Sequence, residues 1–245
     1  MKLYKYRDLT NPGLGLSLVR RILQTQSFWC ARPDTLNDPE EFAWSCNYMM
    51  SPYTEELLAH LLVEAKGRTE EQARLLVAAA VNGGRLRNLS EPVVDSLIKQ
   101  CREDIGLACF GSAPDNEVLW DRYAGGGCGL CVEVDVPNGL MGAQLHRVQY
   151  WDRKLIHVDT FLRSRFDREA ASEFYVLSLL SKPKSWEPEG EIRFVSKKQS
   201  VNVAIKKSQI TRVILGDALP SDLRARVREL ALSIPVADRV RATTA

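Results

Sequence analysis

The sequence predicts an α+β fold, with a mixed or antiparallel β core and a helical insertion over residues 50–105. Strand-like and helix-like segments alternate without a regular repeat, whereas a doubly wound parallel sheet requires strict alternation. Between residues 50 and 105 the hydrophobic pattern is almost entirely helical. With 245 residues, 45% of them hydrophobic, the chain can bury a large core, and we predict a single domain over residues 1–245.

The N-terminal part begins with a short predicted strand at residues 2–6. Apolar residues at helical spacing then predict a helix over 14–26. A second strand is predicted at 27–31, and Asn37 and Asp38 follow in a segment with the composition of a turn.

The helical block contains its own start and stop signals. Thr69 and Gln72 match a capping box, in which each side chain pairs with the backbone N–H of the other residue. Gly83 and Gly84 would end that helix, and Ser90 would begin the next one. The predicted helices cover residues 54–66, 69–82 and 91–104.

The second half of the chain returns to mixed elements. An amphipathic segment predicts one long helix over 158–181, and a last helix is predicted at 221–232, followed by a frayed tail. A short helix is predicted at 115–124. The predicted strands cover residues 107–110, 128–135, 148–151, 191–196, 201–205 and 210–215.

The bulk properties exclude some classes of protein. The net charge is +2, from 33 basic and 31 acidic residues, so the chain lacks the strong basic field of a general nucleic-acid binder. The apolar runs are too short to span a bilayer, and the N-terminus has no secretory apolar core. We therefore predict a cytoplasmic protein with no membrane partner, whose six cysteines are reduced.

The segment 182–195 is the strongest candidate for a functional site. It places Trp186 beside charges of both signs and ends in an apolar strand. If the segment is extended, Glu189, Glu191 and Arg193 point to one side. The two glutamates then repel each other, which would raise the pKa of one of them unless Arg193 or Lys182 compensates. A surface ion-pair network would have a similar composition, but the tryptophan favours a binding or active site.

Two further sets of residues are candidates, each with a structural alternative. Trp120 and Tyr123 share a helix face, which suits core packing or an aromatic wall that stacks on a planar ring. On the first strand, Lys5 and Arg7 share one face, opposite to Tyr6. These two cations either protect an edge strand or bind phosphate, to which arginine donates in a bidentate manner.

Two short motifs favour structural roles. Cys128 and Cys131 have the spacing of half a zinc site, but the sequence has no second ligand pair at a workable spacing, and both fall in an apolar strand. Three glycines occupy positions 125–127, but a strand follows them and no Lys-Ser or Lys-Thr does, so neither phosphate-loop fingerprint fits. We predict no metal site, and a backbone bend at 125–127.

Several motifs follow one another in a characteristic order. They are Leu-Tyr-Lys-Tyr-Arg7, Phe28-Trp-Cys-Ala-Arg-Pro-Asp-Thr-Leu-Asn37-Asp38-Pro39-Glu40, Cys109-Phe110-Gly-Ser, Val-Leu-Trp120-Asp-Arg-Tyr123-Ala124, Gly129-Leu-Cys-Val-Glu-Val, Lys182-x-x-x-Trp186-x-x-Glu189-x-Glu191-x-Arg193 and Val213-Ile-Leu-Gly216. In this set and order, the chain resembles the bacterial family labelled "domain of unknown function 2971" over nearly its whole length. That family often has histidine at the position of Arg122.

The layout is also similar to that of ADP-ribosyltransferases, which implies a split β-sheet. Those enzymes place an Arg or His on an early strand, an aromatic or Ser-Thr-Ser element in the middle, and a Glu, often Glu-x-Glu, on a late strand. The resemblance implies Arg7 for the first position, Trp120 and Tyr123 for the middle, and Glu191 for the last. A Ser-Thr-Ser element is missing from the sequence, and Ser112 is the nearest hydroxyl at a strand end.

This resemblance implies that NAD is the substrate and that its nicotinamide–ribose bond is cleaved. Glu191 would stabilise the oxocarbenium-like ribose, and Glu189 would orient or deprotonate an acceptor. Arg7 would hold the pyrophosphate, and Trp120 or Tyr123 would stack on the nicotinamide. The other predicted NAD-binding residues are Tyr6, Asn37, Asp38 and Trp186.

The sequence leaves the biological setting and two alternative functions open. An enzyme of this kind would act as a toxin or anti-phage effector, with protein, DNA, RNA or water as the acceptor. One alternative is a nucleic-acid-directed enzyme or binder, and the other is a binding module of a defence complex that uses the helical block as its partner surface. The basic residues behind the nucleic-acid alternative are Lys182, Lys184, Arg193, Lys197, Lys198, Lys206 and Lys207.

Overall fold

The computed structural model describes residues 1–38, 45–49, 51–136, 145–152 and 155–240. The protein has an α+β fold, and it divides into two compact units. The first unit contains Met1–Thr35, Ile105–Val148 and Lys184–Ala245. The second contains Leu36–Asp104 and Gln149–Pro183, so it takes in more of the chain than the insertion predicted at 50–105.

The elements of the described ranges are as follows. The helices are α1 (Pro12–Leu23), α2 (Pro52–Lys66), α3 (Glu70–Asn82), α4 (Leu86–Asp104), α5 (Glu117–Tyr123), α6 (Val158–Arg163), α7 (Arg168–Leu179) and α8 (Ser221–Ala231). The strands are β1 (Lys2–Asp8), β2 (Ser27–Cys30), β3 (Ser45–Asn47), β4 (Gly106–Phe110), β5 (Gly129–Asp135), β6 (Leu145–Arg147), β7 (Gln149–Trp151), β8 (Leu155–His157), β9 (Ser181–Pro183), β10 (Ile192–Ser196), β11 (Val201–Ala204), β12 (Ile210–Leu215) and β13 (Val236–Asp238). Among these helices, none combines the length and apolarity needed to cross a bilayer.

A four-stranded sheet forms the centre of the first unit, in the order β1–β5–β12–β13. Strands β1 and β12 run antiparallel to β5, whereas β13 runs parallel to β12. The segment of β13 was predicted to be a frayed tail, and that prediction is wrong. A strand of three residues is too short to show a recognisable hydrophobic period. This strand forms because its residues pair with the edge of β12.

A second, three-stranded sheet in the same unit has the order β4–β10–β6 and is antiparallel. An isolated bridge joins the two sheets at Tyr4 and Gly111, whose backbone groups exchange hydrogen bonds of 3.1 and 2.8 Å. One residue further along β1, the Lys5 ammonium donates to the carbonyl oxygen of Cys109 over 2.5 Å. The two strands β1 and β4 are therefore joined by the backbone bridge and, next to it, by the side chain of Lys5.

The main core of the first unit lies against one face of the four-stranded sheet. Leu3 of β1, Val132 of β5 and Val213 of β12 are fully buried there with Val19 of α1 and Val227 of α8. Both helices thus bury an apolar stripe on the same face of the sheet, as their periodicity predicts. This packing fixes the strands that carry the candidate site.

The second unit is mainly helical. It contains α2, α3, α4, α6 and α7, with two short pairs of parallel strands, β3–β8 and β7–β9. Its apolar residues form a core cluster of their own, which includes Leu58, Phe161 and Phe174. The capping box predicted at Thr69 and Gln72 is confirmed at the start of α3.

Two helix predictions in the second unit are wrong. Helix α4 begins before Ser90, whose hydroxyl donates to the carbonyl of Arg87 over 3.1 Å inside the helix instead of capping it. The segment 158–181 forms two helices because the Asp167 side chain caps α7 and so starts a new helix. Its last residue, Ser181, belongs to β9.

Candidate functional site

One face of the three-stranded sheet is apolar, and the other carries a buried polar group beside the apolar pair Leu107 and Val195. Phe110 of β4 and Ile192 of β10 are paired neighbours on the apolar face, which belongs to the main core. On the opposite face, Arg193 of β10 lies between Cys109 of β4 and His146 of β6 as its direct cross-strand neighbours. Because side chains alternate along a strand, the sequence puts this polar set on one face.

Glu191, at the entrance to β10, forms a buried ion pair with Arg193. The Nε and Nη2 atoms of Arg193 donate to the two carboxylate oxygens over 2.8 and 3.3 Å. Arg193 is 0% exposed and Glu191 is 6% exposed. The compensation of Glu191 by Arg193 that the sequence suggested is therefore present, and it fixes the orientation of this carboxylate.

Gly190 separates Glu189 from Glu191 by a change of backbone direction. Its φ of +54° is in the left-handed region, and a Cβ atom there would lie 2.8 Å from the Ser112 hydroxyl oxygen, so a side chain would be strained and crowded. The residues before it, Lys184–Glu189, form a short 3₁₀ helix. The prediction that Glu189 shares a strand face with Glu191 is thus wrong, because the segment is not extended.

Glu189 instead belongs to a cluster at the C-terminal end of α5. Its Oε1 atom accepts hydrogen bonds from Arg122 Nη1 over 3.0 Å and from the Tyr123 hydroxyl over 2.9 Å. The Arg122 guanidinium lies 4.7 Å from the centre of the Trp186 ring, in a cation–π contact. The Asn116 amide donates to the carbonyl of Pro188 over 2.7 Å and ties the loop to α5. Three predicted site residues, Tyr123, Trp186 and Glu189, are therefore in one cluster.

Lys5 and Arg7 lie on one face of β1, at the junction of the two sheets. Both side chains are half-buried, and Lys5 Nζ lies 5.1 Å from the centre of the Phe110 ring. Arg7 donates from Nη1 to the carbonyl of Tyr6 over 3.4 Å. Its Nε atom is buried and has no hydrogen-bond partner among the described residues.

Burial and a neighbouring positive charge lower the pKa of each of these two cations. Burial, and then the charge of Arg7, lower the pKa of Lys5 to about 7, while Cys109, Glu191 and Cys30 act in the opposite direction. Burial, and then the charge of Arg21 on α1, lower the pKa of Arg7 to about 10. Glu191 is thus within electrostatic reach of Lys5, although the two residues are far apart in the sequence.

The pKa of Lys5 predicts a measurable change of stability with pH. Lys5 loses its proton near pH 7 in the folded chain, whereas its ordinary pKa is 10.5. Between pH 7 and 8.5 the unfolded chain therefore binds a proton that the folded chain has released, so the free energy of unfolding rises with pH. We expect this one group to contribute a rise of about 1.5 kcal/mol, measured by urea denaturation in a buffer without multivalent anions.

The comparison for this measurement is between Lys5→Met and Lys2→Met. Lys2 is an exposed residue of the same strand that pairs with Glu133, and its pKa is raised by that hydrogen bond, so it does not titrate in this window. Lys2→Met should keep the rise and Lys5→Met should lose it. A rise of equal size in both variants would show that Lys5 is not the titrating group.

Two aromatic residues of the predicted NAD-binding set are packed into the interior. Trp120 is completely buried, donates from Nε1 to the carbonyl of Pro114 over 2.9 Å, and has the Arg239 guanidinium 4.5 Å from its ring centre. Tyr6 packs edge-on against Trp120, and its hydroxyl donates to Ala113 over 2.6 Å. The nicotinamide-stacking role of Trp120 and the NAD contact of Tyr6 are therefore not compatible with this packing, and core packing explains both residues.

Asn37 and Asp38 belong to the second unit, where Asn37 is exposed and Asp38 is buried. Pro39 and Glu40 of the same motif lie outside the described residues. Arg7, Tyr123, Trp186, Glu189 and Glu191 all belong to the first unit.

Packing and backbone geometry account for the two cysteines at 128 and 131 and for the three glycines at 125–127. Cys131 is buried in β5, and burial raises the pKa of its thiol. Cys128 lies just before β5 and donates to the carbonyl of Ala218 over 3.5 Å. The glycines at 125–127 form a 3₁₀ turn in which all three have positive φ, so the predicted bend is present.

Two site residues were missed by the sequence analysis. Arg122 stood out in the sequence only because the family that the sequence resembles often has histidine at this position, yet it pairs with Glu189. Arg21 is in the last turn of α1, where a basic residue is common as a partner of the helix dipole, so its sequence context gave no functional signal. Arg122 pairs with a residue distant in sequence, and Arg21 lowers the pKa of the distant Arg7, and a motif encodes neither relation.

Comparison with known proteins adds no relative to this description. No protein family, no curated protein and no solved structure matches the chain. The candidate site consists of the Glu191–Arg193 pair, the Glu189 cluster and the cations of β1.

Proposed function

We propose that this chain cleaves the nicotinamide–ribose bond of NAD and transfers ADP-ribose to an acceptor group or to water. The observation that carries the proposal is a series of contacts that leads from β1 to Glu191. Lys5 of β1 donates to the carbonyl of Cys109 on β4. Cys109 is the cross-strand neighbour of Arg193, and Arg193 pairs with Glu191. Arg7 shares the face of Lys5 on β1. The proximity of these cations to this carboxylate supports the proposal, in which the cations bind the pyrophosphate and the carboxylate faces the ribose. Those are the two groups that the resemblance to ADP-ribosyltransferases implies for this reaction.

In the proposed reaction, the bond between the ribose C1′ and the nicotinamide nitrogen breaks, and the bonding electrons leave with neutral nicotinamide. The positive charge that develops on the ribose is stabilised by Glu191. Arg193 holds this carboxylate by two hydrogen bonds, so the group is oriented before the substrate arrives. The acceptor then bonds to C1′, and its proton passes to a base.

Glu189 is the candidate for that base or for the residue that orients the acceptor. It is fixed by Arg122 and Tyr123, on the other side of the Gly190 turn from Glu191. The family that the chain resembles often has histidine in place of Arg122, and either side chain can donate to a carboxylate. Tyr123 therefore positions Glu189 through its hydroxyl in this proposal, rather than only stacking on nicotinamide.

The arrangement of the sheets supports the same class of enzyme. Two sheets of one unit are joined at the isolated Tyr4–Gly111 bridge, with Lys5 reaching from one sheet to the other. A split sheet of this kind is what the ADP-ribosyltransferase resemblance implies.

The proposed biological role is that of a toxin or anti-phage effector. It would act in the cytoplasm on a protein or nucleic-acid acceptor.

The proposal is tested by following free nicotinamide while the purified protein is incubated with NAD. We expect release above the rate in buffer, with an increase when a suitable acceptor is added. Release that does not exceed the buffer rate, both alone and with protein, RNA and DNA acceptors, would reject NAD cleavage.

A nucleic-acid acceptor or ligand is the second candidate, because four exposed lysines flank β11. Lys197 and Lys198 precede the strand, and Lys206 and Lys207 follow it. Arg193, from the basic set found in the sequence, is buried in its ion pair and cannot contact a phosphate backbone in this arrangement.

A gel-shift titration in increasing salt tests this candidate. Phosphate contacts release counterions, so replacement of Lys206 and Lys207 by Gln should lower the slope of log K against log salt by up to about 2. A slope unchanged by these two substitutions would remove these lysines from any nucleic-acid interface.

A further inference from the structure

We propose that Lys5, Arg7 and Arg21 together form an anion site that binds the diphosphate group of a nucleotide ligand. The assignment deepens the proposed function and rests on it for the identity of the rest of the ligand. The proposed site contains Lys5 and Arg21 in addition to Arg7, and Arg21 lies on a helix. The site itself is tested without NAD.

The three cations come from two elements of the first unit. Lys5 and Arg7 share a face of β1, and Arg21 lies in the last turn of α1, a helix that packs against β1. The charge of Arg21 lowers the pKa of Arg7. Arg21 also lies over the Trp29 ring, 5.4 Å from its centre. All three side chains are half-buried, so each one is sheltered from bulk solvent but still reached by it.

The cluster lacks the carboxylate partners that half-buried cations usually have. Within the described part of the chain, Lys5, Arg7 and Arg21 form no ion pair, and Arg7 Nε is buried without a hydrogen-bond partner. Glu191 acts on Lys5 only through its charge and is already paired with Arg193. An unpaired buried donor is rare in a folded protein and costs free energy, which indicates a partner other than these residues.

An anion with two negative charges would meet the requirements of this cluster. It would compensate the repulsion of Arg7 by Arg21 and of Lys5 by Arg7. Arginine binds phosphate oxygens in a bidentate manner, and lysine acts as a point charge. Two guanidinium groups and one ammonium group therefore suit a diphosphate, which carries two adjacent phosphate groups, better than a single carboxylate.

Binding of such an anion is coupled to a proton. The groups that face Lys5 are Arg7 on its own strand, Cys109 on β4, Glu191 before β10 and Cys30 on β2. The pKa of Lys5 is about 7 in the free protein, so much of this residue is neutral at pH 8. An anion stabilises the ammonium form, so its binding takes up a proton, and affinity increases as the pH falls from 8.5 to 6.5.

The test is isothermal titration calorimetry with inorganic pyrophosphate at pH 7 and low salt. Arg21→Gln should weaken binding by roughly tenfold or more, because it removes charge-assisted hydrogen bonds. Arg20→Gln is the matched control, since Arg20 is the exposed neighbour on the same helix and the change in net charge is identical. Absence of binding by the wild type, or equal affinity of the two variants, would overturn the site.

A second measurement tests the proton coupling. The pyrophosphate affinity of the wild type is divided by that of Lys5→Met at pH 6.5 and at pH 8.5. The ionisation of pyrophosphate itself is common to both proteins and cancels in this ratio. We expect the ratio to fall by roughly tenfold towards pH 8.5, and a ratio that does not change with pH would remove Lys5 from the site.

The outcomes separate this site from the proposed reaction. Pyrophosphate binding that depends on Arg21, in a protein that leaves NAD intact, keeps the anion site and removes the reaction. NAD cleavage with the same KM in Arg21→Gln and Arg20→Gln removes the anion site and keeps the reaction.

Discussion

Glu191→Gln is expected to reduce the release of nicotinamide from NAD by roughly 100- to 1000-fold, the usual effect of removing one oriented electrostatic group from an active site. The amide has nearly the shape of the carboxylate and still accepts a hydrogen bond from Arg193, but it carries no charge to stabilise the ribose. The measurement is kcat from nicotinamide release at saturating NAD. Because the lost interaction belongs to the transition state, kcat should fall and KM should change little.

Glu187→Gln is the matched control for this experiment. Glu187 lies in the 3₁₀ helix that precedes Glu191 and is exposed, so its substitution makes the same change of charge four residues away. Circular dichroism and a melting curve establish that Glu191→Gln is folded at the assay temperature. Equal rates for Glu191→Gln and Glu187→Gln, with both proteins folded, would contradict the role of Glu191.

Arg193→Met is expected to lower the free energy of unfolding by about 3–5 kcal/mol, because it leaves the Glu191 carboxylate buried without this partner. Arg193 is 0% exposed and sits between two neighbouring strands, so water cannot easily replace the guanidinium. Urea denaturation at pH 7 measures the change.

Arg228→Met provides the comparison, since Arg228 pairs with Asp238 over 3.5 Å at the surface. An exposed pair contributes only up to about 1 kcal/mol. The double variant Glu191→Leu with Arg193→Met removes both charges and should be more stable than Arg193→Met alone. A loss in Arg193→Met no larger than in Arg228→Met would show that the buried pair contributes little to stability.

The sequence predicted those parts of the fold that depend on neighbouring residues. The capping box of Thr69 and Gln72 marks the start of α3, and the alternation of β1 places Lys5 and Arg7 opposite to Tyr6. These features follow from backbone periodicity and local hydrogen bonds, which a sequence shows directly. The strands β9 and β13 were missed because three residues form a strand only when a partner edge is present.

In the candidate site too, contacts between residues close in sequence could be predicted, and contacts between distant residues could not. The pairing of Glu191 with Arg193 was suggested by the sequence, since the two residues are neighbours on one strand face. The pairing of Glu189 with Arg122 and Tyr123 was not predicted, because the 3₁₀ helix and the left-handed Gly190 turn the carboxylate towards α5. The burial of Trp120 could not be distinguished from an exposed aromatic wall, because both have the same helical spacing.

The isolated bridge between Tyr4 and Gly111 has a mechanical consequence. A joint made of two backbone hydrogen bonds contributes about 1–3 kcal/mol net, so thermal energy breaks it in a small but regular fraction of molecules. Along the same pair of strands, the ammonium of Lys5 adds one more hydrogen bond, to the carbonyl of Cys109. We expect an anion bound at the proposed site to compete for this ammonium, so that ligand binding would loosen the joint between the two sheets.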